Sequence, residues 1–287
     1  EIIVLDDLST GDLANLSAMK NQILFFQSQV ENFDFESLDH IDCVIHLAAQ
    51  ASVPLSISNF FESSKTNILS SLKVVDFCIK NKIPLVYASS SAIYGSMPLG
   101  NDENDATDLI SPYAADKLAL ELYAKISSKT SGLNSIGLRF FNVYGPRQDP
   151  SNPYSGVISI FIDRSLSNNT IIINGGAQTR DFIYVKDIAE VISKSVQLAS
   201  KTKISETVNV LTGKSVSINS LADKIIKLVN SSSNRLYKEL PNGDPLESNG
   251  TIAKLSRLFN ISTSDFITLN HGLEMTVNDI KPKVTKL

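Results

Sequence analysis

Short apolar runs alternate with longer amphipathic stretches along the first two thirds of the chain. The runs Ile2–Leu5, Ile23–Phe26, Cys43–Leu47, Leu85–Ala88, Ile136–Phe141 and Val208–Leu211 are rich in Val, Ile, Leu and Phe and mostly lack polar–apolar alternation. Strands covered by helices on both faces of a parallel sheet read this way. Between them, Ser64–Lys80 carries Ile68, Leu72, Val75 and Ile79, and Pro112–Ser127 carries Ala115, Leu118, Leu122 and Ile126. Both sets recur at helical spacing and predict helices that turn these stripes inward. Leu120 and Tyr123 then fall off the inner stripe. Strands alternating with helices predict an α/β fold built on a doubly wound parallel sheet.

The second half changes character. Pro150–Tyr154 reads as a loop, Gly156–Leu166 as a helix and Thr170–Asn174 as a short strand. Ser217 is placed to cap a helix over Ile218–Val229, because a serine hydroxyl can accept from the first free backbone amides. Ser231–Asn234 is a polar loop. The pattern predicts a smaller, mainly helical lobe over residues 150–287. The segment from about 181 to 211, including a helix at Asp187–Ala199, returns to the larger unit of residues 1–149.

The composition adds exclusions. The chain has 287 residues, 43% of them hydrophobic and 20% charged, with a net charge of −4, as an ordinary globular protein does. No basic tract suggests nucleic acid, and no apolar run approaches the roughly 20 residues needed to span a membrane. Cys43 and Cys78 stand in no CxxC, and His40, His46 and His271 have no ligand spacing, so neither a disulfide framework nor a metal site is expected. A reducing, cytoplasmic setting fits. Glu1-Ile2-Ile3-Val4-Leu5-Asp6 reads as a strand already in progress, and the expectation is a sequence that begins inside a domain.

Two segments carry candidate chemistry. In Tyr113-Ala114-Ala115-Asp116-Lys117, helical spacing puts Lys117 on the face of Tyr113. A cation there favours the phenolate and makes Tyr113 a candidate base. By itself a YxxxK is equally a solvated helix pair. In Tyr87-Ala88-Ser89-Ser90-Ser91-Ala92-Ile93-Tyr94-Gly95 an apolar strand runs into three serines, at the strand end where open α/β sheets bind ligands. By itself this is also an ordinary polar exit from a strand.

Together with other motifs, these segments resemble the extended short-chain dehydrogenase/reductase family, close to the UDP-glucose and UDP-N-acetylglucosamine 4-epimerases. The likeness runs through nearly the whole chain. It includes Leu5-Asp6-Asp7-Leu8-Ser9, His46-Leu47-Ala48-Ala49-Gln50-Ala51-Ser52-Val53, Thr66-Asn67, the serine run and Ser111-Pro112-Tyr113-Ala114-Ala115-Asp116-Lys117. It continues through Leu138-Arg139-Phe140-Phe141-Asn142-Val143-Tyr144-Gly145-Pro146-Arg147 and Thr179-Arg180-Asp181-Phe182-Ile183-Tyr184-Val185.

The resemblance implies a Rossmann-type fold, a homodimer, NAD as cofactor and a UDP-sugar as substrate. It assigns Ser90, Tyr113 and Lys117 to catalysis, with Tyr113 and Lys117 also on the cofactor. Asp6 matches the acid on the adenosine ribose, which repels a 2′-phosphate and so favours NAD over NADP. The family's adenine-contacting Asp falls on Gln29, followed by Val30, while Leu47, Ala48, Ala49 and Asn67 match further cofactor positions. On the substrate side it implies Ser91, Asn142, Arg180 on the pyrophosphate, Asp244 of Gly243-Asp244 on the nucleotide ribose, and Ser248 beside the sugar's 2-substituent.

There are departures from the pattern. The glycine-rich GxxGxxG turn and the first family strand are absent from this sequence, and a truncated sequence is the expectation. Pro241 stands where the family commonly has a second arginine, a role for which Arg235 and Lys238 are the substitutes at hand. The acid–base pair that resembling 4,6-dehydratases place after the catalytic Thr is replaced by Ser91 and Ala92, and Ala92 also departs from the similar decarboxylases. Reductase-epimerases use a Cys and a His that neither Cys43 nor Cys78 matches. A catalytically silent nucleotide-binding homologue is the rival from another class, and measuring bound NAD separates it from an enzyme.

Overall fold

The computed structural model describes residues 1–97, 106–152, 155–241 and 244–284. Tyr154 and Gly243 lie outside the described residues. The chain begins with strands β1 (Ile2–Asp6), β2 (Ile23–Gln27) and β3 (Val44–His46). Helices α1 (Val53–Ser58) and α2 (Phe60–Asn81), strand β4 (Leu85–Ser90), helix α3 (Pro112–Ser131) and strands β5 (Ser135–Phe140) and β6 (Asn142–Tyr144) follow. Next come α4 (Val157–Leu166), β7 (Ile171–Asn174), β8 (Thr179–Tyr184), α5 (Val185–Lys201), β9 (Ser205–Val210) and β10 (Ser215–Ser217). The chain closes with α6 (Ile218–Val229), β11 (Arg235–Lys238), β12 (Glu247–Ser248), α7 (Ala253–Phe259) and α8 (Leu269–Val284).

The main sheet has the order β3-β4-β5-β9 with every pair parallel. Its apolar strands bury both faces: Leu85, Val86, Ile136, Leu138, Val208 and Val210 are fully buried. Gly137 on β5 serves the packing, since a Cβ there would meet the Tyr87 ring at 2.5 Å. β1 and β2 form a parallel pair of their own. Among the described residues no strand pairs with the outer edge of β3 or the second edge of β1. Leu5 of β1 nevertheless packs into the cluster formed by α2, β4 and α3.

On the other face α5 and α7 cover the sheet, with Ile188, Val191, Leu255 and Phe259 in one cluster with the strands. A separate cluster joins α4, α6 and α8 to β7 and β8 through Phe161, Ile162, Ile173, Phe182, Leu221 and Leu273. Ser217 caps α6 as the sequence predicts, accepting from the Ser220 amide at 3.1 Å.

One helix face differs from expectation. On α3 the buried residues are Tyr113, Ala114, Asp116, Lys117, Leu120, Glu121, Ala124 and Ser127. Leu122 is 50% and Ile126 is 56% exposed. The helix thus turns several polar residues inward and Leu122 and Ile126 outward, while Leu118 packs against a core cluster and Leu120, not Leu122, is fully buried. Leu72 on α2 is likewise exposed. The reason is the site: Lys117, Asp116 and Glu121 all find buried partners, so hydrophobicity alone does not choose the inner face.

Candidate active site

β4 delivers Ser90 at the carboxyl end of the sheet, where the backbone leaves the ladder for a 3-10 turn over Ser91–Tyr94. The Ser90 hydroxyl accepts from the Ala92 amide at 3.1 Å. Ser111 caps α3, accepting from the Ala114 amide at 3.2 Å, and Pro112 occupies the first turn. That start puts Tyr113 near the strand end, where the Ser90 side chain lowers the cost of ionising its phenol. One turn on, the Lys117 ammonium donates to the Ala88 carbonyl at 2.9 Å and stands 5.8 Å from the centre of the Tyr113 ring.

The three serines have separate positions. Ser89 is buried and donates to Glu121, Ser90 meets Tyr113, and Ser91 is half-buried at the head of the turn.

The electrostatics correct one expectation. Burial pushes the Tyr113 phenol up; Ser90's hydrogen bond pulls it back and the Asp116 charge pushes it further up. Lys117 is itself pulled down to about 8 by burial, against the opposing pull of Asp116. Desolvation is thus the largest influence on the Tyr113 phenol. His46, buried at the end of β3, is pulled down to about 3 by burial and by Lys117, and is neutral.

Asn67 of α2 is buried. Its Nδ2 donates to Asp116 at 3.0 Å and to the Gln50 carbonyl at 3.2 Å, and its Oδ1 accepts from the Gln50 amide at 2.8 Å. It thereby ties the loop after β3 to the catalytic helix. Leu47 and Ala48 in that loop are exposed and Ala49 is half-buried.

Asp6 ends β1 with an exposed carboxylate, one oxygen of which accepts from the Leu8 amide at 2.7 Å. Gly11 lies so close that a Cβ there would sit 3.3 Å from the Asp6 oxygen. Gln29 is exposed, accepting from Asn32 at 2.9 Å, and Val30 is buried. An open acid at a strand end, with Tyr113 and Lys117 at another, suits the two riboses of a dinucleotide.

The substrate candidates gather around β8. β12 pairs with β8 so that Ser248 lies opposite Arg180, and β6 pairs with it so that Asn142 lies opposite Phe182. Asn142 donates to the Asp181 carbonyl at 3.0 Å. Arg180, largely buried, forms an ion pair with the more exposed Asp244. Arg235 is paired with Asp223 of α6, and Lys238 is exposed on β11.

Sequence reasoning missed the partners beneath the site, Glu121, Asn209 and the role of Arg139. Their meeting depends on strand register rather than on any local motif.

Among the described residues no group of His, Cys, Asp and Glu gathers that could hold a metal ion. No described helix is long and apolar enough to cross a membrane.

Residues 1–210 match the sequence model of the NAD dependent epimerase/dehydratase family. A putative UDP-glucose 4-epimerase of Methanocaldococcus jannaschii is 34% identical over 290 residues, covering 98% of this chain and 90% of that protein. The solved UDP-N-acetylglucosamine 4-epimerase of Methanobrevibacter ruminantium, in complex with UDP-N-acetylmuramic acid, is 35% identical with a TM-score of 0.90, covering 98% of this chain and 90% of that one. The UDP-glucose 4-epimerase of Thermus thermophilus, solved with NAD, is 28% identical with a TM-score of 0.85, covering 98% and 91%.

Proposed function

The chain belongs to the NAD dependent epimerase/dehydratase family, and from that premise we propose that it inverts C4′ of a UDP-hexose through a 4-keto sugar. The observation that carries this reading is the buried Tyr113 in the first turn of α3, with Lys117 one turn behind it bonded to the end of β4 that presents Ser90. Tyr113 takes the proton of the 4′-hydroxyl and gives it back after the sugar has turned over. Ser90 hydrogen-bonds the same oxygen and shares its developing charge. NAD, when bound, would accept the hydride from C4′ and, as NADH, return it to the opposite face, so that no net redox change remains. Asp6 and Lys117 hold the two ribose ends of that cofactor, with Gln29, Val30, Leu47, Ala48, Ala49 and Asn67 around it.

Residues 1–149 with the returning segment 181–211 form the cofactor unit, and the rest of 150–287 chiefly binds the nucleotide sugar. There Arg180 takes the pyrophosphate, since a guanidinium matches phosphate oxygens. Asp244, freed from Arg180, takes the nucleotide ribose, and Ser91 and Asn142 meet the sugar. Dehydration is disfavoured because Ser91 and Ala92 offer no acid–base pair beside C5 and C6. The free cysteines Cys43 and Cys78 suit a reducing cytoplasm. The direct test is to incubate the full-length protein with NAD and UDP-glucose or UDP-N-acetylglucosamine. Formation of the C4′ epimer is expected; its absence with both, despite bound NAD, favours a silent homologue.

The apolar outer face of α2 and α3, with Leu69, Leu72, Leu122, Tyr123 and Ile126 exposed, supports a two-fold dimer in which both helices pack against their copies. Light scattering is expected to give twice the chain mass, and Ile126→Glu to halve it. A monomeric mass for the unaltered protein contradicts the dimer.

The residue opposite Arg180 bears on the sugar. Ser248 is small where a tyrosine would crowd an N-acetyl group, so the pocket is expected to admit N-acetylated and plain UDP-hexoses. Ser248→Tyr is expected to cut kcat/KM for UDP-N-acetylglucosamine by roughly 10- to 100-fold while sparing UDP-glucose, the scale on which pocket sterics discriminate. An unchanged N-acetylated substrate means Ser248 is not the gate.

A further inference from the structure

Below the catalytic pair a polar row runs across three neighbouring strands of the sheet. Strand register sets Ser89 of β4 beside Arg139 of β5, and Arg139 beside Asn209 of β9. All three are buried. Arg139 stands at the centre. Its Nε and one terminal nitrogen donate to the two Glu121 oxygens at 2.9 and 2.7 Å, and its other terminal nitrogen donates to the Tyr94 hydroxyl at 2.6 Å. Tyr94 in turn donates to Asn209 at 2.7 Å, and Ser89 donates to Glu121.

The attachment points matter more than their number. Ser89 immediately precedes Ser90, and Tyr94 ends the turn that starts just after it. Both ends of the segment presenting Ser90 are therefore fixed to one guanidinium, either directly or through Glu121. Glu121 lies four residues after Lys117 on the face of α3 that carries Tyr113, so the same guanidinium also holds the helix bearing the base. A buried ion pair is a weak source of stability, since desolvating two charges offsets most of their attraction. Its value lies in fixing geometry through a bidentate, planar contact.

We propose that Arg139, with Glu121 and Tyr94, is a positioning brace for the reaction, holding the Ser90 turn and the Tyr113 helix at the separation the reaction requires. The proposal rests on the catalytic reading of Ser90 and Tyr113. The brace touches neither substrate nor cofactor and acts through Ser90. Loosening it displaces Ser90 from Tyr113, and Ser90 is what draws the buried phenol back toward ionisation. The other groups facing Tyr113 stay in place: Asp116 and Lys117 on α3, and neutral His46 behind Lys117 on β3.

Tyr94→Phe is the cleanest perturbation. It keeps the ring against Phe141, whose centre is 6.5 Å away, and deletes only the hydroxyl. The expected result is a kcat lower by about ten-fold, a modest share of what misplacement in a reacting site can cost, with KM nearly unchanged. The acid limb of the kcat–pH profile should move to higher pH. In a Ser90→Ala background the same substitution should cost less than about two-fold, because a residue acting through Ser90 has nothing left to position. An equal loss in both backgrounds, or a uniform loss with an unmoved pH profile, overturns the brace and leaves a structural network. No loss in the Ser90-containing enzyme overturns it as well. A Ser90→Ala enzyme at full rate instead removes the catalytic reading of Ser90, and the brace with it. As a second arm, Arg139→Lys keeps the charge but loses the fork and should reproduce the shifted pH profile; a profile like that of the unaltered enzyme counts against the brace.

Discussion

Tyr113→Phe is expected to abolish turnover, lowering kcat by about 10²- to 10⁴-fold, the range for removal of a positioned acid–base group. NAD binding should survive, because the substitution removes one hydroxyl and leaves the ring in the same buried place. The sign of the pH effect follows from the base role. Burial holds the phenol's proton on, so the rate of the unaltered enzyme should rise with pH as that proton is lost, and the substitution should erase the rise. Steady-state kinetics across pH, with NAD retention measured on the same sample, reads both. More than about a tenth of the rate remaining contradicts the assignment.

Ser90→Ala is expected to lower kcat by about 10²-fold, as for loss of one donor to a developing oxyanion. Two effects add: the alanine cannot hydrogen-bond the reacting oxygen, and it withdraws the contact that eases ionisation of Tyr113. Ser91→Ala should cost less, since Ser91, which begins the turn, is assigned to binding the sugar and not to the reacting oxygen. The comparison distinguishes neighbouring serines by rate alone. A larger loss at Ser91 would shift the catalytic hydroxyl by one residue and leave the Tyr113 assignment standing.

The strands that cross the core were legible because burial on both faces leaves near-continuous apolar runs, as in Leu85–Ala88. The Ser217 cap was legible because it is local chemistry. The inner face of α3 was not: Leu122 and Ile126 repeat at helical spacing yet face outward, while Lys117 and Glu121 face in. A helix that buries charges against partners on other strands gives no hydrophobic signal for its inner face. β8 was missed as a strand because Thr179, Arg180 and Asp181 look polar; Asp181 is buried nonetheless, satisfied by the Thr212 amide at 2.8 Å and the Lys214 amide at 2.9 Å. In the site, the shared face of Tyr113 and Lys117 was expected from helical spacing, while the choice of Ser90 came from the resemblance and remains a proposal. Arg139 was visible only as part of a motif, and its partners Glu121 and Asn209 not at all, because their meeting needs the register of three strands.

The most direct measurement follows the fate of a single atom. UDP-glucose carrying deuterium at C4′ is incubated in ordinary water with the full-length protein and NAD, and the products are followed by NMR. Epimerisation through a retained hydride should give UDP-galactose with the deuterium still at C4′, no net NADH and no loss of water from the sugar. Deuterium lost to solvent, or a 4-keto-6-deoxy product in place of the epimer, would contradict inversion at C4′ by Ser90, Tyr113 and Lys117.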